Sequence, residues 1–359
     1  MNEINKEDLK RLVEPFWLQD VMYNESICMI VREDGAVNSR TMFVPEEIIS
    51  VKDVYLQKEY TEGVDYKWER GTNVITWLPG SAIPFFTQND IHGKNEAGEY
   101  IEQYPAMDEL QRSRFGDALY CIEAFLYEKQ ISITYRYNKN DYKGIIPEYQ
   151  PERLVNVLSK LEKEKKLKAV FFGDSIFTGL DSSGKHEREP YLPALSDLVK
   201  ITIEKYFDAE VDMHMTAVSG MDSVWGANTC MENCADIEPD LVVVSFGMND
   251  GDRDPKEVRA NMQKIIDSTL SKNPNCNFIV IGCMVANSDG GFLKKQKEYA
   301  IEFSQIPDVA FASVFDMHSE ILKTKDFIAT SGNNINHPND WLSRIYAMNI
   351  LSCMIDWEK

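Results

Sequence analysis

From residue 168 onward the chain alternates apolar β runs with amphipathic stretches, and this alternation restricts its fold more than any other feature. The runs are KAVFF (168–172), EVDMHMTAV (210–218), LVVVSF (241–246), NFIVIGCM (277–284) and VAFASV (309–314). Helical periodicity covers 190–207, about 223–236, 255–271 and 291–305, and a last helix is expected from near Pro338 almost to the C-terminus. Strand–helix alternation predicts a parallel sheet covered by helices on both faces. Such sheets bind ligands in the crevice beyond the carboxyl ends of their strands. The residues just after each run therefore matter most.

The first part of the chain has a different grammar. SICMIV (26–31), VKDVYLQ (51–57), NVITWLP (73–79) and QISITYRY (130–137) are short runs rich in Val, Ile, Thr and aromatic residues. Asp34-Gly35, Glu62-Gly63, Arg70-Gly71-Thr72 and Pro79-Gly80 punctuate them. The pattern predicts a mostly antiparallel β-sandwich of jelly-roll type. Residues 92–111 read as a long loop or a short helical insert, and 138–152 as a linker. A chain of 359 residues is long enough for two domains. The expected division is residues 1–148 for the β-sandwich and 149–359 for the α/β/α domain.

Charge and cysteine content narrow the classes of partner. The formal net charge is −20, which opposes binding to phosphate backbones and anionic lipid. A neutral or cationic small-molecule ligand fits better, in a monomer or a homo-oligomer. No apolar run approaches the ~20 residues that a membrane-crossing helix needs. The N-terminal stretch MNEINKEDLKRLVEPFW lacks the apolar core of a signal peptide. It predicts a cytoplasmic protein, or one whose leader has been removed. Seven scattered cysteines read as reduced, packed thiols. Cys230 and Cys234 fall one helical turn apart but have no second pair at zinc-site spacing, so no metal is expected.

Four strand ends supply a consistent set of groups. KAVFF runs into Gly173-Asp174-Ser175, and EVDMHMTAV into Ser219-Gly220. LVVVSF runs into Gly247-Met248-Asn249-Asp250, and Asn334-Ile335-Asn336-His337-Pro338 precedes the last helix. A hydroxyl, a backbone N–H at a glycine, a side-chain amide and an imidazole would meet on one sheet edge. Acyl transfer needs these parts. Serine is a weak nucleophile until a base in hydrogen-bond reach takes its proton, and neutral histidine is the usual base near pH 7. Each donor aimed at the oxyanion is worth about 3–4 kcal/mol. Read singly, Ser175 is an ordinary helix cap, Asn249 a turn residue and His337 another cap. Together they read as a site.

The four blocks GDS (173–175), VSGMDS (218–223), GMND (247–250) and NINHPND (334–340) resemble those of the SGNH, or GDSL-type, hydrolase superfamily over about residues 165–357. A β region ahead of that domain is similar to bacterial two-domain carbohydrate esterases of the superfamily, which remove acetyl groups. The resemblance implies Ser175 as nucleophile, His337 as base, and Ser175, Gly220 and Asn249 as oxyanion donors, with no cofactor. It implies a serine esterase acting on acetylated carbohydrate. A lipase or thioesterase, and a carbohydrate-binding protein with a decayed triad, are the rival readings. The family's acid position, three residues before the histidine, holds Asn334, so a Ser–His dyad steered by a backbone carbonyl is expected. Asp250 and Asp340 are the other carboxylates near the blocks. Asp250, Trp225 and Trp341 are candidate substrate contacts, with burial of the two tryptophans as the alternative. His186, in the loop after Ser175, is a further candidate contact, and the loop 285–291 is expected to rim the cleft.

Overall fold

The computed structural model describes residues 6–92, 94–95, 97–99, 112–113, 116–117, 123–287 and 293–359. The C-terminal part holds a five-stranded parallel sheet made of β10 (Lys166–Gly173), β11 (Glu210–Met215), β12 (Leu241–Ser245), β13 (Asn277–Gly282) and β14 (Ala310–Ser313), in the order β11-β10-β12-β13-β14. The order reverses at β10, between its neighbours β11 and β12. Successive residues of the central strands face opposite cores. Ala169, Phe171, Leu241, Val243, Ile279 and Ile281 enter one apolar cluster. Val170, Phe172, Val242, Val244, Phe278 and Val280 enter the other. Strands buried on both faces read as continuous apolar runs, which explains their legibility.

Helices α6 (Ser223–Asn233), α7 (Pro255–Lys272) and α8 (Gln296–Phe303) stand between consecutive strands, and Cys230, Met262 and Tyr299 carry them into the second cluster. Helices α5 (Leu195–Phe207), α9 (Val314–Ile321) and α10 (Asp340–Ser352) contribute Leu198, Met317 and Ile345 to the first. The short helix α4 (Val155–Lys163) leads into β10. α10 starts later than expected: Asn339 is its cap, accepting from Leu342 N at 3.0 Å, and Pro338 pairs with Ser331 outside the helix.

The N-terminal part is a curled, mostly antiparallel sheet. Its path is β3 (Glu47–Asp53), β9 (Gln130–Arg136), β1 (Val21–Val31), β2 (Val37–Arg40), β5 (Val74–Trp77), β4 (Tyr66–Trp68). A short β6 (Phe85–Phe86) pairs parallel with β1, and β7 (Arg112–Ser113) pairs with β8 (Gly116–Asp117). The long β1 joins two halves: residues 21–28 pair with β9, and 29–31 with β6 and β2. The expected strand 51–57 sits earlier, at 47–53. Leu56 takes a left-handed φ of 61° and Gln57 N donates to Asp53 Oδ1, so 54–57 is a turn. Helices α2 (Gln88–Ile91) and α3 (Glu123–Lys129) lie on either side of the stretch 92–111, most of which lies outside the described residues, and α1 (Lys6–Val13) precedes the sheet.

One apolar cluster runs from the N-terminal sheet through α10 into the parallel sheet, joining Met29, Ile131 and Tyr135 to Trp341, Leu342 and Phe171. All residues of α10 from Trp341 to Ser352 are buried. The enclosure is such that even its polar residues Ser343, Arg344 and Asn349 are buried. Six cysteines, Cys28, Cys230, Cys234, Cys276, Cys283 and Cys353, are buried free thiols; Cys121 lies outside the described residues. Among the described residues no helix is long and apolar enough to cross a membrane.

Candidate active site

The site begins where β10 ends. A Cβ on Gly173 would stand 2.4 Å from Ser245 O, so glycine lets β10 and β12 close up at their carboxyl ends. Asp174 follows, buried, with Oδ1 accepting from Ile176 N at 3.0 Å. Burial pushes its carboxyl up to about 7. The turn is completed by Thr178, whose Oγ1 donates to Ser175 O at 2.8 Å. It holds the Ser175 hydroxyl 2.9 Å from His337 Nε2.

His337 lies in a loop that Asn333 organises. The Asn333 side-chain oxygen accepts the backbone N–H groups of Ile335, Asn336 and His337 at 2.9, 3.0 and 3.1 Å. This fixes which way its amide faces. The Asn333 NH2 therefore stands 3.0 Å from His337 Nδ1, while Asp181 Oδ2 stands 2.8 Å from the same nitrogen. An NH2 group cannot accept the ring proton, and a carboxylate can. A bare Nδ1 would put a lone pair against that carboxylate. The proton therefore sits on Nδ1 in a charge-assisted bond to Asp181. Nε2 keeps its lone pair for the Ser175 hydroxyl. Asp181 Oδ1 is buried with no hydrogen-bond partner among the described residues, so the imidazole receives the charge.

This corrects the expectation of a dyad steered by a backbone carbonyl: Nδ1 faces the carboxylate of Asp181. Asp181 belongs to the loop after Ser175, six residues on in the chain. Its side chain is 2% exposed. It reaches the ring because position 332 is glycine; a Cβ there would stand 2.4 Å from Asp181 Cβ. Asn334 serves the backbone. Its φ is 55°, a left-handed conformation that asparagine tolerates, and its carbonyl accepts from Asn287 Nδ2 at 2.7 Å.

The loops that carry Gly220 and Asn249 are tied together. Gly220 has a φ of 80° with open space where a Cβ would stand, so the conformation requires the glycine. Asn249 Nδ2 donates to Met221 O at 3.0 Å, which leaves its second hydrogen for another acceptor. Asp250 accepts from Ser223 N at 3.2 Å and Ser223 Oγ at 2.5 Å, and Arg253 Nη2 bonds Asp222 at 2.9 Å. Asp250 is thus a buried brace between the loops, with every reason to sit there other than substrate; burial raises its carboxyl pKa.

Trp341 is likewise not a platform. It is 2% exposed in α10, with Lys325 Nζ 4.9 Å from its ring centroid. Trp225, one turn into α6, is half-buried against Phe172 and Phe246 at 5.6 and 6.4 Å. His186 bonds Leu180 O and so tethers its own loop. Asp340 accepts from Ser183 N at 2.9 Å and supports that loop from below; burial pushes its carboxyl up to about 6. Of the loop 285–291, residues 288–291 lie outside the described residues. A cavity of about 1020 Å³ lies between β1, β9, α5 and α10.

Residues 171–344 match the model of the GDSL-like Lipase/Acylhydrolase family. Comparison with curated proteins gives no match. Among solved structures, the chain is similar to a two-domain esterase active on acetylated mannans, at 18% identity and a TM-score of 0.48, over 58% of this chain and 53% of that one. The match thus spans about half the length of that protein. A second crystal of a two-domain esterase, with mannopentaose, gives a TM-score of 0.47 at 18% identity, over 58% of this chain and 54% of that one. An acetylxylan esterase from Geobacillus stearothermophilus gives 0.43 at 16% identity, over 53% of this chain and 95% of that one.

Proposed function

We propose, on the premise that residues 171–344 belong to the GDSL-like lipase/acylhydrolase family, that this protein is a serine esterase with the triad Ser175–His337–Asp181. The observation that carries the reading is the unbroken relay of 2.9 Å from Ser175 Oγ to His337 Nε2 and 2.8 Å from His337 Nδ1 to Asp181. Ser175 Oγ attacks the ester carbonyl as its proton passes to Nε2. Asp181 stabilises the imidazolium that forms. Ser175 N–H, Gly220 N–H and the free hydrogen of Asn249 Nδ2 receive the oxyanion. The imidazolium returns its proton to the departing alkoxide. Water, activated by the same histidine, then hydrolyses the acyl-enzyme. The relay is intact, which disfavours the decayed binding protein.

The acyl group in this proposal is acetyl and its carrier a sugar. Support comes from the sequence blocks joined to an N-terminal β domain, and from charge. A surface carrying −20 repels anionic acyl carriers and anionic lipid, and is indifferent to a neutral sugar ester. The test is hydrolysis of p-nitrophenyl acetate, butyrate and octanoate, with Ser175→Ala as control. Activity that falls with chain length and vanishes in the variant is expected. Activity that rises with chain length points to a lipase, and activity that survives in Ser175→Ala removes the proposed nucleophile.

A further inference from the structure

The loop that carries His337 is gripped by the other half of the molecule. Its neck is closed by pairing of Ser331 with Pro338. Gly332 N and Ser331 Oγ both donate to His337 O, at 3.0 and 2.8 Å. Against this neck stands Gln130, the first residue of β9, buried at 4% exposure. Its Nε2 donates to Ser331 O at 2.8 Å, and its Oε1 accepts from Asn339 Nδ2 at 3.2 Å. One side chain of the N-terminal sheet thus holds both ends of the histidine loop. Asn339 also donates to Ser26 Oγ of β1 at 3.0 Å.

The approach to the loop is held in the same way. Lys325 is wholly buried, paired with Glu25 of β1, and donates to Ser26 O at 2.8 Å. Glu25 is fixed in turn by Met42 N at 2.8 Å and the Tyr135 hydroxyl at 2.5 Å. Arg32, just beyond β1, forms a two-point pair with Asp326 at 2.9 and 2.7 Å. Buried ion pairs contribute little net stability, and their best-attested use is to fix register. Here the pair registers one sheet against residues 325–339 of the other part. The N-terminal part reaches the Asp181 loop as well, since Tyr127 and Gln57 both bond Glu189.

We propose that the N-terminal sheet is a positioning device for the base: Gln130, backed by the Glu25–Lys325 pair, sets His337 between Ser175 and Asp181. This rests on reading those three residues as an acyl-transfer site. Gln130 touches no reacting atom and is a positioning residue. A base displaced by about 1 Å loses about a hundredfold in rate, and bonds of 2.9 and 2.8 Å on either side of the ring leave no slack.

The test is Gln130→Met in the full chain, which keeps the volume and removes the bonds to Ser331 and Asn339, together with a longer one from Ser26 Oγ at 3.5 Å. The His337 Nδ1–H proton resonance is followed by NMR, which needs no turnover. Turnover per active site, titrated with a fluorophosphonate, is measured alongside the pH profile of kcat/KM. Expected are a moved or lost resonance, kcat per site lower by about tenfold to a hundredfold with KM little changed, and a shifted acid limb. A structural role alone would lower the titrated fraction and leave all three where they were; that result overturns the proposal. Arg32→Met, at a partly exposed pair, carries the same comparison if Gln130→Met does not fold, with smaller changes in the same direction. Loss of Ser175-dependent hydrolysis in the parent chain would count against the esterase reading, and the resonance would still decide whether Gln130 sets His337.

Discussion

Asp181→Asn separates the triad read from the structure from the dyad read from the sequence. The substitution keeps the size of the side chain and removes its charge. During attack the imidazolium charge develops about 4 Å from the carboxylate, and at an effective dielectric constant of about 20 that pair is worth about 4 kcal/mol. At about 1.4 kcal/mol per factor of ten, kcat should fall by about a thousandfold. If the new amide presents its NH2 to Nδ1, the ring is held in the wrong tautomer and the fall approaches about ten-thousandfold. Asn334→Gly is the matched control. Glycine accepts the left-handed backbone, and the bond from Asn287 goes to the main-chain carbonyl, so both survive. Its kcat should stay within a few-fold of the parent. The assay is steady-state hydrolysis of p-nitrophenyl acetate on enzyme titrated for active sites. Near-parent activity in Asp181→Asn, or a collapse in Asn334→Gly, would refute the reasoning.

Asn249→Ala removes one of the proposed oxyanion donors, and kcat should fall by about a hundredfold to a thousandfold with KM nearly unchanged, measured with the same ester. Gly332→Ala places a methyl against Asp181, so it should lower kcat in the direction of Asp181→Asn while Ser175 remains in place; an unchanged kcat would show that the contact is dispensable. Asp174 gives a pH dependence. Its folded value is raised, chiefly by burial, from 3.8 to about 7, so between these values the folded state holds the extra proton. Stability from this group is therefore full below pH 4 and is lost as pH rises towards 7. Asp174→Asn, which keeps an acceptor for Ile176 N, should raise Tm relative to the parent at pH 8 and much less at pH 5.

The parallel sheet was legible because β10, β12 and β13 are buried on both faces and so spell continuous apolar runs. The ends of those strands were legible for a related reason: Gly173 and Gly220 are required by a close approach and by a positive φ, and such needs show in sequence. Asp181 was not legible. Its partner lies 156 residues away, and the contact depends on a glycine at 332 rather than on any spacing near His337. Asn334 misled because the position three residues before His337 serves a left-handed turn. Trp341 and Asp250 look like substrate contacts in the sequence because one follows the NINHPND block and the other ends the GMND block. Burial of α10 between two sheets, and the brace from Asp250 to Ser223, are tertiary facts that adjacency in sequence does not encode. The grip of Gln130 on residues 331 and 339 joins parts of the chain whose local patterns are unrelated, so it too required the fold.

The central claim is a covalent intermediate on one serine, and it can be seen directly. The protein is mixed with p-nitrophenyl acetate, quenched in acid within the first turnovers, digested and analysed by mass spectrometry. The account predicts one acetyl group on the peptide that contains Ser175, none in Ser175→Ala, and a longer-lived adduct in Asp181→Asn, whose base is weakened for the hydrolytic half of the reaction. Hydrolysis that proceeds with no adduct on that peptide, and persists in Ser175→Ala, would contradict it.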